Sequence, residues 1–180
     1  MINGRLEVLN TGGSILLGEN AGLNDDFTDN ENVFIGRNAG INDDLTNNHN
    51  IAIGEQSLLD NITGISNIAL GSLSLNSKTE GNYNIAIGAT VLYENIDGQG
   101  NVAIGHDAGR NNLGDNNVFI GRFAGKFETG SDRLYINNIN SDTTFPLIYG
   151  EFDNEILGFN AKVGIGTKTP TVPLQITTGN

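Results

Sequence analysis

Short apolar runs recur along the chain at a nearly fixed interval. Each is closed by a glycine and set apart from the next by a polar stretch rich in Asn and Asp. The runs read SILLG, NVFIG, NIAIG, NIALG, NIAIG, NVAIG and NVFIG, ending at Gly18, Gly36, Gly54, Gly71, Gly88, Gly105 and Gly121. The intervals are 18, 18, 17, 17, 17 and 16 residues. A run this short and this rich in β-branched residues predicts a strand rather than a helix. Side chains alternate along a strand. One face therefore carries Ile51/Ile53, Ile68/Leu70, Ile85/Ile87 and Val102/Ile104, with Ile15/Leu17, Val33/Ile35 and Val118/Ile120 in the flanking copies. The other face carries Ala52, Ala69, Ala86 and Ala103, with Leu16, Phe34 and Phe119 towards the ends. Apolar residues on both faces predict a strand covered on both sides.

Seven copies at near-constant spacing predict an all-β chain wound as a parallel β-solenoid, or β-roll, of seven 16–18-residue coils. Like strands would stack about 4.8 Å apart, for a rise of about 34 Å. After each glycine comes either Ala-Gly (Ala21-Gly22, Ala39-Gly40, Ala108-Gly109, Ala124-Gly125) or Ser57-Leu58, Ser74-Leu75 and Val91-Leu92. A polar arc follows, often with one apolar residue: Phe27, Leu45, Ile62, Ile96 or Leu113. It reads as a turn, a weaker outer strand and a return turn. A coil this small encloses little core, so the doubly apolar strand predicts a homotrimer. In that reading Ile51, Ile53, Ile68, Leu70, Ile85, Ile87, Val102 and Ile104 form the structural core of each chain. Ala52, Ala69, Ala86 and Ala103 line the threefold axis, with Phe34 and Phe119 as plugs.

Asn32, Asn50, Asn67, Asn84, Asn101 and Asn117 sit four residues before the repeat glycine. Such strict register predicts a structural ladder, each amide bonding the turn of the next coil, in preference to a ligand-binding face. The chain is expected to divide into an N-terminal cap or linker (1–13), the repeat roll (14–130) and a C-terminal β-collar with the start of a next segment (131–180). In the last, Leu134-Tyr135-Ile136, Leu147-Ile148-Tyr149 and Ile156-Leu157-Gly158-Phe159 predict short strands, with turns at Thr144-Phe145-Pro146 and Phe152-Asp153-Asn154. A further strand begins at Val163-Gly164-Ile165-Gly166, and Pro170 and Pro173 bar helix beyond it. The expectation is a small β-collar that clamps three chains.

The N-[IV]-A-I-G motif, repeated from Ser14 to Gly125, resembles the head repeats of trimeric autotransporter adhesins. Those form a trimeric left-handed parallel β-roll. The stretch from Arg133 to Ile176, with its KVGIGT-x-x-P-x-x-x-L-x-I pattern, resembles the segment that follows such repeats in phage tail fibres and related bacterial surface proteins. There it leads towards a C-terminal trimerisation or self-cleaving chaperone domain. Both resemblances imply architecture and are nearly silent on ligand.

Composition narrows the function. The 25 Gly and 28 Asn favour frequent turns and disfavour helix. A net charge of −12 opposes nucleic acid and anionic membranes as partners. No apolar run nears the roughly 18 residues of a membrane helix, so membrane insertion is not expected. With no Cys there is neither a disulfide nor a thiolate metal site. Asp25-Asp26 and Asp43-Asp44, with Asp29, Asn30, Asn47 and Asn48, cluster oxygen ligands suited to Ca²⁺. No calcium-loop pattern accompanies them, so they read as solvated turn residues, and neither metal nor cofactor is assigned. His49 and His106 lie in different coils with no nucleophile motif, so they read as surface residues and no catalytic residue is assigned. The expectation is a non-enzymatic, extracellular segment of a homotrimeric tail fibre or surface adhesin, its partners being itself and a host glycan or protein. The alternative is a fibre-borne polysaccharide depolymerase with an inter-subunit active site. Recognition would fall to the arcs Asn24 to Glu31, Asn42 to His49, Ser77 to Tyr83 and Arg110 to Asn116.

Overall fold

The computed structural model describes residues 13–25, 31–43, 49–77, 80–138 and 146–177. The described residues hold strands and turns and no helix. The repeats wind a parallel β-solenoid. Its strands are β1 (Ile15–Leu17), β2 (Val33–Ile35), β3 (Ile51–Ile53), β4 (Ile68–Leu70), β5 (Ile85–Ile87), β6 (Val102–Ile104), β7 (Val118–Ile120) and β8 (Arg133–Ile136). Neighbours pair in parallel and in register, so Phe34 lies beside Ala52, Ala52 beside Ala69, Ala69 beside Ala86 and Ala86 beside Ala103.

The glycine ending each run is required by its backbone. Gly36 and Gly54 have φ of 133° and 138°, a region closed to L side chains. A Cβ on Gly36 would also stand 2.6 Å from the carbonyl oxygen of Gly54. The residues two and four places further on are both left-handed, as at Asn38 (φ 60°) and Gly40 (φ 57°), or Leu73 (φ 59°) and Leu75 (φ 47°). Alternating hands curl the chain through two tight turns, closed by bonds such as Ser57 N to Gly54 O and Asn95 N to Leu92 O. These turns then bond coil to coil, Gly40 N to Ser57 O and Leu75 N to Val91 O. The expected outer strand is absent from the described arcs, because left-handed residues cannot extend into one.

The interior reverses the expected assignment of the two strand faces. Ala52, Ala69, Ala86, Ala103, Phe34 and Phe119 are all 0% exposed within a single chain, packed with Leu58, Leu75, Leu92 and Val91. They face their own coil and cannot line an axis between chains. The residues expected to form the core are the outward ones. Ile53, Ile87 and Ile104 are 39%, 37% and 39% exposed, while Ile51, Ile68, Leu70, Ile85 and Val102 are half-buried.

Volume explains the reversal. The left-handed turn residue points into the same space as the strand's central side chain, so the two sizes trade. Ala52, Ala69 and Ala86 leave room for Leu58, Leu75 and Leu92. Where the strand centre is Phe34 or Phe119, the turn carries Gly40 or Gly125, and a Cβ there would meet the ring closer than van der Waals contact allows. Ala103 and Gly109 are both small, and that coil is filled by Phe119 and Leu92 from either side. The bulk of the Leu side chains outweighs the unfavourable φ they adopt.

The parallel stack runs one strand past the expected boundary at 130/131. Leu134-Tyr135-Ile136 pairs with β7 as an eighth parallel strand, with Phe119 beside Tyr135. The sheet then turns antiparallel through β9 (Ile148–Glu151) and β10 (Ile156–Phe159). Phe119, Tyr135 and Tyr149 stack at 5.8 and 5.3 Å between ring centres and close the apolar interior at this end. β11 (Val163–Ile165) and β12 (Leu174–Ile176) form a separate parallel pair.

The volume trade predicts compensation. Ala69→Phe should cost about 1–3 kcal/mol by overpacking. Adding Leu75→Gly should recover part of that loss, so the double variant is more stable than the sum of the singles. Denaturant unfolding of both singles and the double checks it, and simple additivity would contradict the trade.

Candidate interaction surfaces

The Asn column lies inside the solenoid, fully buried. Asn50, Asn67, Asn84, Asn101 and Asn117 each donate the backbone N–H to the side-chain Oδ1 of the preceding member, at 2.7–3.0 Å. The side-chain amides of Asn50, Asn67, Asn84, Asn101 and Asn117 donate to the carbonyls of Gly64, Gly81, Gly98, Gly114 and Gly130 in the next arc. Ser14 opens the column by accepting from Asn32 N, and Arg133 N closes it on Asn117 Oδ1. Every member is therefore committed to the neighbouring coil, with no group turned outward for a ligand.

A second buried polar lane runs beside it: Asp25, Asp43, Asn61, Asn95 and Asn112, seven residues after the repeat glycine. Asp25 and Asp43 are thus interior residues, 3% and 0% exposed, which corrects the solvated-turn reading. Asp43 accepts from the amides of Asn32, Asn50 and Asn61 at 3.1–3.2 Å. Its neighbours in the Ca²⁺ reading, Asp26, Asp29, Asn30, Asp44, Asn47 and Asn48, lie outside the described residues, as do Phe27 and Leu45. Among the described residues no three His, Asp or Glu side chains converge as a metal site.

The outer face of the stack carries a continuous apolar stripe, two residues wide, from Ile15/Leu17 through Ile85/Ile87 to Val118/Ile120. Beyond it, Leu157, Phe159, Leu174 and Ile176 on β10 and β12 are all more than half exposed. Of the expected recognition arcs, the described parts mix Asn amides with carboxylates. Asn24 bonds Asn42 and Asn42 bonds Asp60, both at 3.0 Å, so even the surface stacks coil on coil.

His49 and His106 are exposed in separate coils, His49 Nε2 lying 3.4 Å from Glu31. His106 borders a charged cluster that the residue pattern did not reveal, because its members belong to different coils. Asp107 Oδ2 meets Lys126 Nζ at 3.0 Å, and Thr90 donates its hydroxyl to Oδ1. Burial alone would push the Asp107 carboxyl up. Hydrogen bonds from Thr90 and Lys126 and the Lys126 and His106 charges outweigh it, holding the group below 3.8. At the capped end, Tyr135 donates to Glu128 at 2.6 Å and Tyr149 to Glu151 at 2.5 Å. Burial, then that hydrogen bond, pushes Tyr149 up to about 12.

No protein-family model, curated protein or solved structure matches this chain.

Two outcomes follow from these contacts. Asn84→Ala leaves Asn101 N–H and the Gly98 carbonyl buried without that partner, at about 1–3 kcal/mol each. Thermal unfolding should show the loss. Asp107 has a lower pKa folded than unfolded, so its contribution is complete above the unfolded value and fades as pH falls through the folded one. Asp107→Asn keeps a residue tolerant of the left-handed φ, and should flatten the acid limb of a Tm-against-pH curve below 3.8.

Proposed function

We propose that this chain is a structural and adhesive segment of a homotrimeric fibre, projected outside the cell or virion, with a host glycan or protein as its target. The apolar stripe on the outer face of the stacked strands carries the reading. A parallel sheet face of Val, Ile and Leu is normally covered, and an exposed apolar surface this long marks an association site. Three copies packed about an axis parallel to the stack would cover all three stripes at once, each residue meeting its own equivalents.

The C-terminal strands support the same assembly. Leu157, Phe159, Ile165, Leu174 and Ile176 lack a core of their own, so neighbouring chains would supply one and make this region the collar. The rod itself is fixed by backbone and Asn stacking, which suits a spacer. Binding then gains from multivalency, three weak sites acting at high effective concentration.

The seam predicted here is the Ile face, so two substitutions one residue apart should part company. Ile87→Lys should shift light scattering from trimer towards monomer. Ala86→Glu, which buries an unpaired charge inside the coil, should instead unfold the chain. A stable wild-type monomer at micromolar concentration would overturn the reading.

A further inference from the structure

Lys and Arg number only nine in this acidic chain. Three of them, Arg110, Arg122 and Lys126, gather with His106 around one stacked pair, Asp107 and Phe123. These two occupy the same left-handed turn position in adjacent coils, joined by Phe123 N to His106 O at 2.9 Å. Lys126 Nζ is 3.0 Å from Asp107 and 4.8 Å from the centre of the Phe123 ring. Arg110 lies 4.0 Å from Asp107 and over Tyr93 at 5.6 Å. Arg122 lies over the Phe123 ring, 4.5 Å from its centre.

Folding does not require so many cations. The acid at their centre, Asp107, is already met by Lys126 and Thr90. Arg122 sits exposed on a ring that cannot neutralise it, and Phe127 nearby is 55% exposed with Lys126 5.5 Å from its centre. A planar guanidinium takes a carboxylate or sulfate through paired hydrogen bonds, and an exposed ring offers a platform for the C–H face of a sugar. Nucleic acid and anionic membrane fit poorly, since each requires a longer run of cations than one corner supplies. The chain's overall negative charge does not forbid a small anion here, because charges beyond about 8 Å are largely screened at physiological salt.

We infer that this corner of the last coils binds an acidic saccharide. Arg122 takes its carboxylate or sulfate, Arg110 and Lys126 add positive potential, and Phe127 supports the sugar ring. The inference extends the adhesive reading by naming a site and a ligand class, and it is tested separately from the oligomeric state.

The full chain is measured by biolayer interferometry on immobilised polygalacturonate, dextran sulfate and neutral dextran. Retention is expected on an anionic polymer and not on dextran, weakening as salt rises. The polymer retained identifies carboxylate or sulfate as the recognised group. Arg122→Gln should weaken retention about tenfold, while Arg37→Gln, an exposed arginine paired with Glu55 at the equivalent turn position, should leave it unchanged. Equal retention on dextran, no retention on either anionic polymer, or equal effects of the two substitutions would overturn the site. So would a change in light-scattering mass for Arg122→Gln, which would give the cluster to contact between copies. Absence of retention with the assembled mass intact would sink the site and leave the fibre reading standing.

Discussion

Everything in this chain depends on coils stacking in strict register, and the buried Asn column is the interaction that enforces it. Three-residue strands contribute few backbone bonds each, too few to fix a register by themselves. Each Asn adds an acceptor for the next coil's backbone and a donor to its arc, locking strand and arc together. A one-residue slip would strand buried amides and carbonyls at every level at once. The arcs can vary in length from coil to coil because the column holds the coil on both sides of them.

Given that register, the interior works as two lobes. The polar lobe satisfies itself through amides, with Asp43 drawn into the same network. The apolar lobe is filled by trading bulk between strand and turn, which is why Leu occupies a left-handed conformation at Leu58, Leu75 and Leu92. Both lobes close within one chain. What remains open is the Ile face, and its exposure is the physical ground for the proposed assembly.

Much of this was legible in the residues. The repeat glycines, the β-branched runs and the Asn spacing identify strand, turn and stack, because each reflects a local backbone demand. The direction of the strand faces was not legible. Alternation separates Ile51 from Ala52 and does not say which points inward. The clue lay in the exchange between Ala52/Leu58 and Phe34/Gly40, visible in the sequence only once the turn is known to curl back over the strand. Burial of Asp25 and Asp43 was hidden for a similar reason: acidic residues in an Asn-rich arc look solvated until the lane they share with Asn61 is seen. The Asp107 cluster joins residues of different coils. Leu134-Tyr135-Ile136 reads as a strand, but its place in the stack escaped a pattern keyed on glycine, because Asn137 follows it where the other coils have Gly.

Asparagine is chemically perishable. Its side-chain amide is lost as ammonia when the following residue's backbone nitrogen attacks the amide carbon and closes a cyclic imide, and a protein with 28 of them is exposed to slow ageing. In the column that attack is blocked on both sides. The nitrogen following Asn50 is Ile51 N, which donates to Asn67 O at 2.8 Å, and the Asn50 amide is itself held by the next coil. The same holds after Asn67 and Asn84, where Ile68 N and Ile85 N donate to Asn84 O and Asn101 O. The lattice of amides that aligns the rod therefore also preserves it, so that its most numerous reactive side chains are shielded where their loss would do most harm.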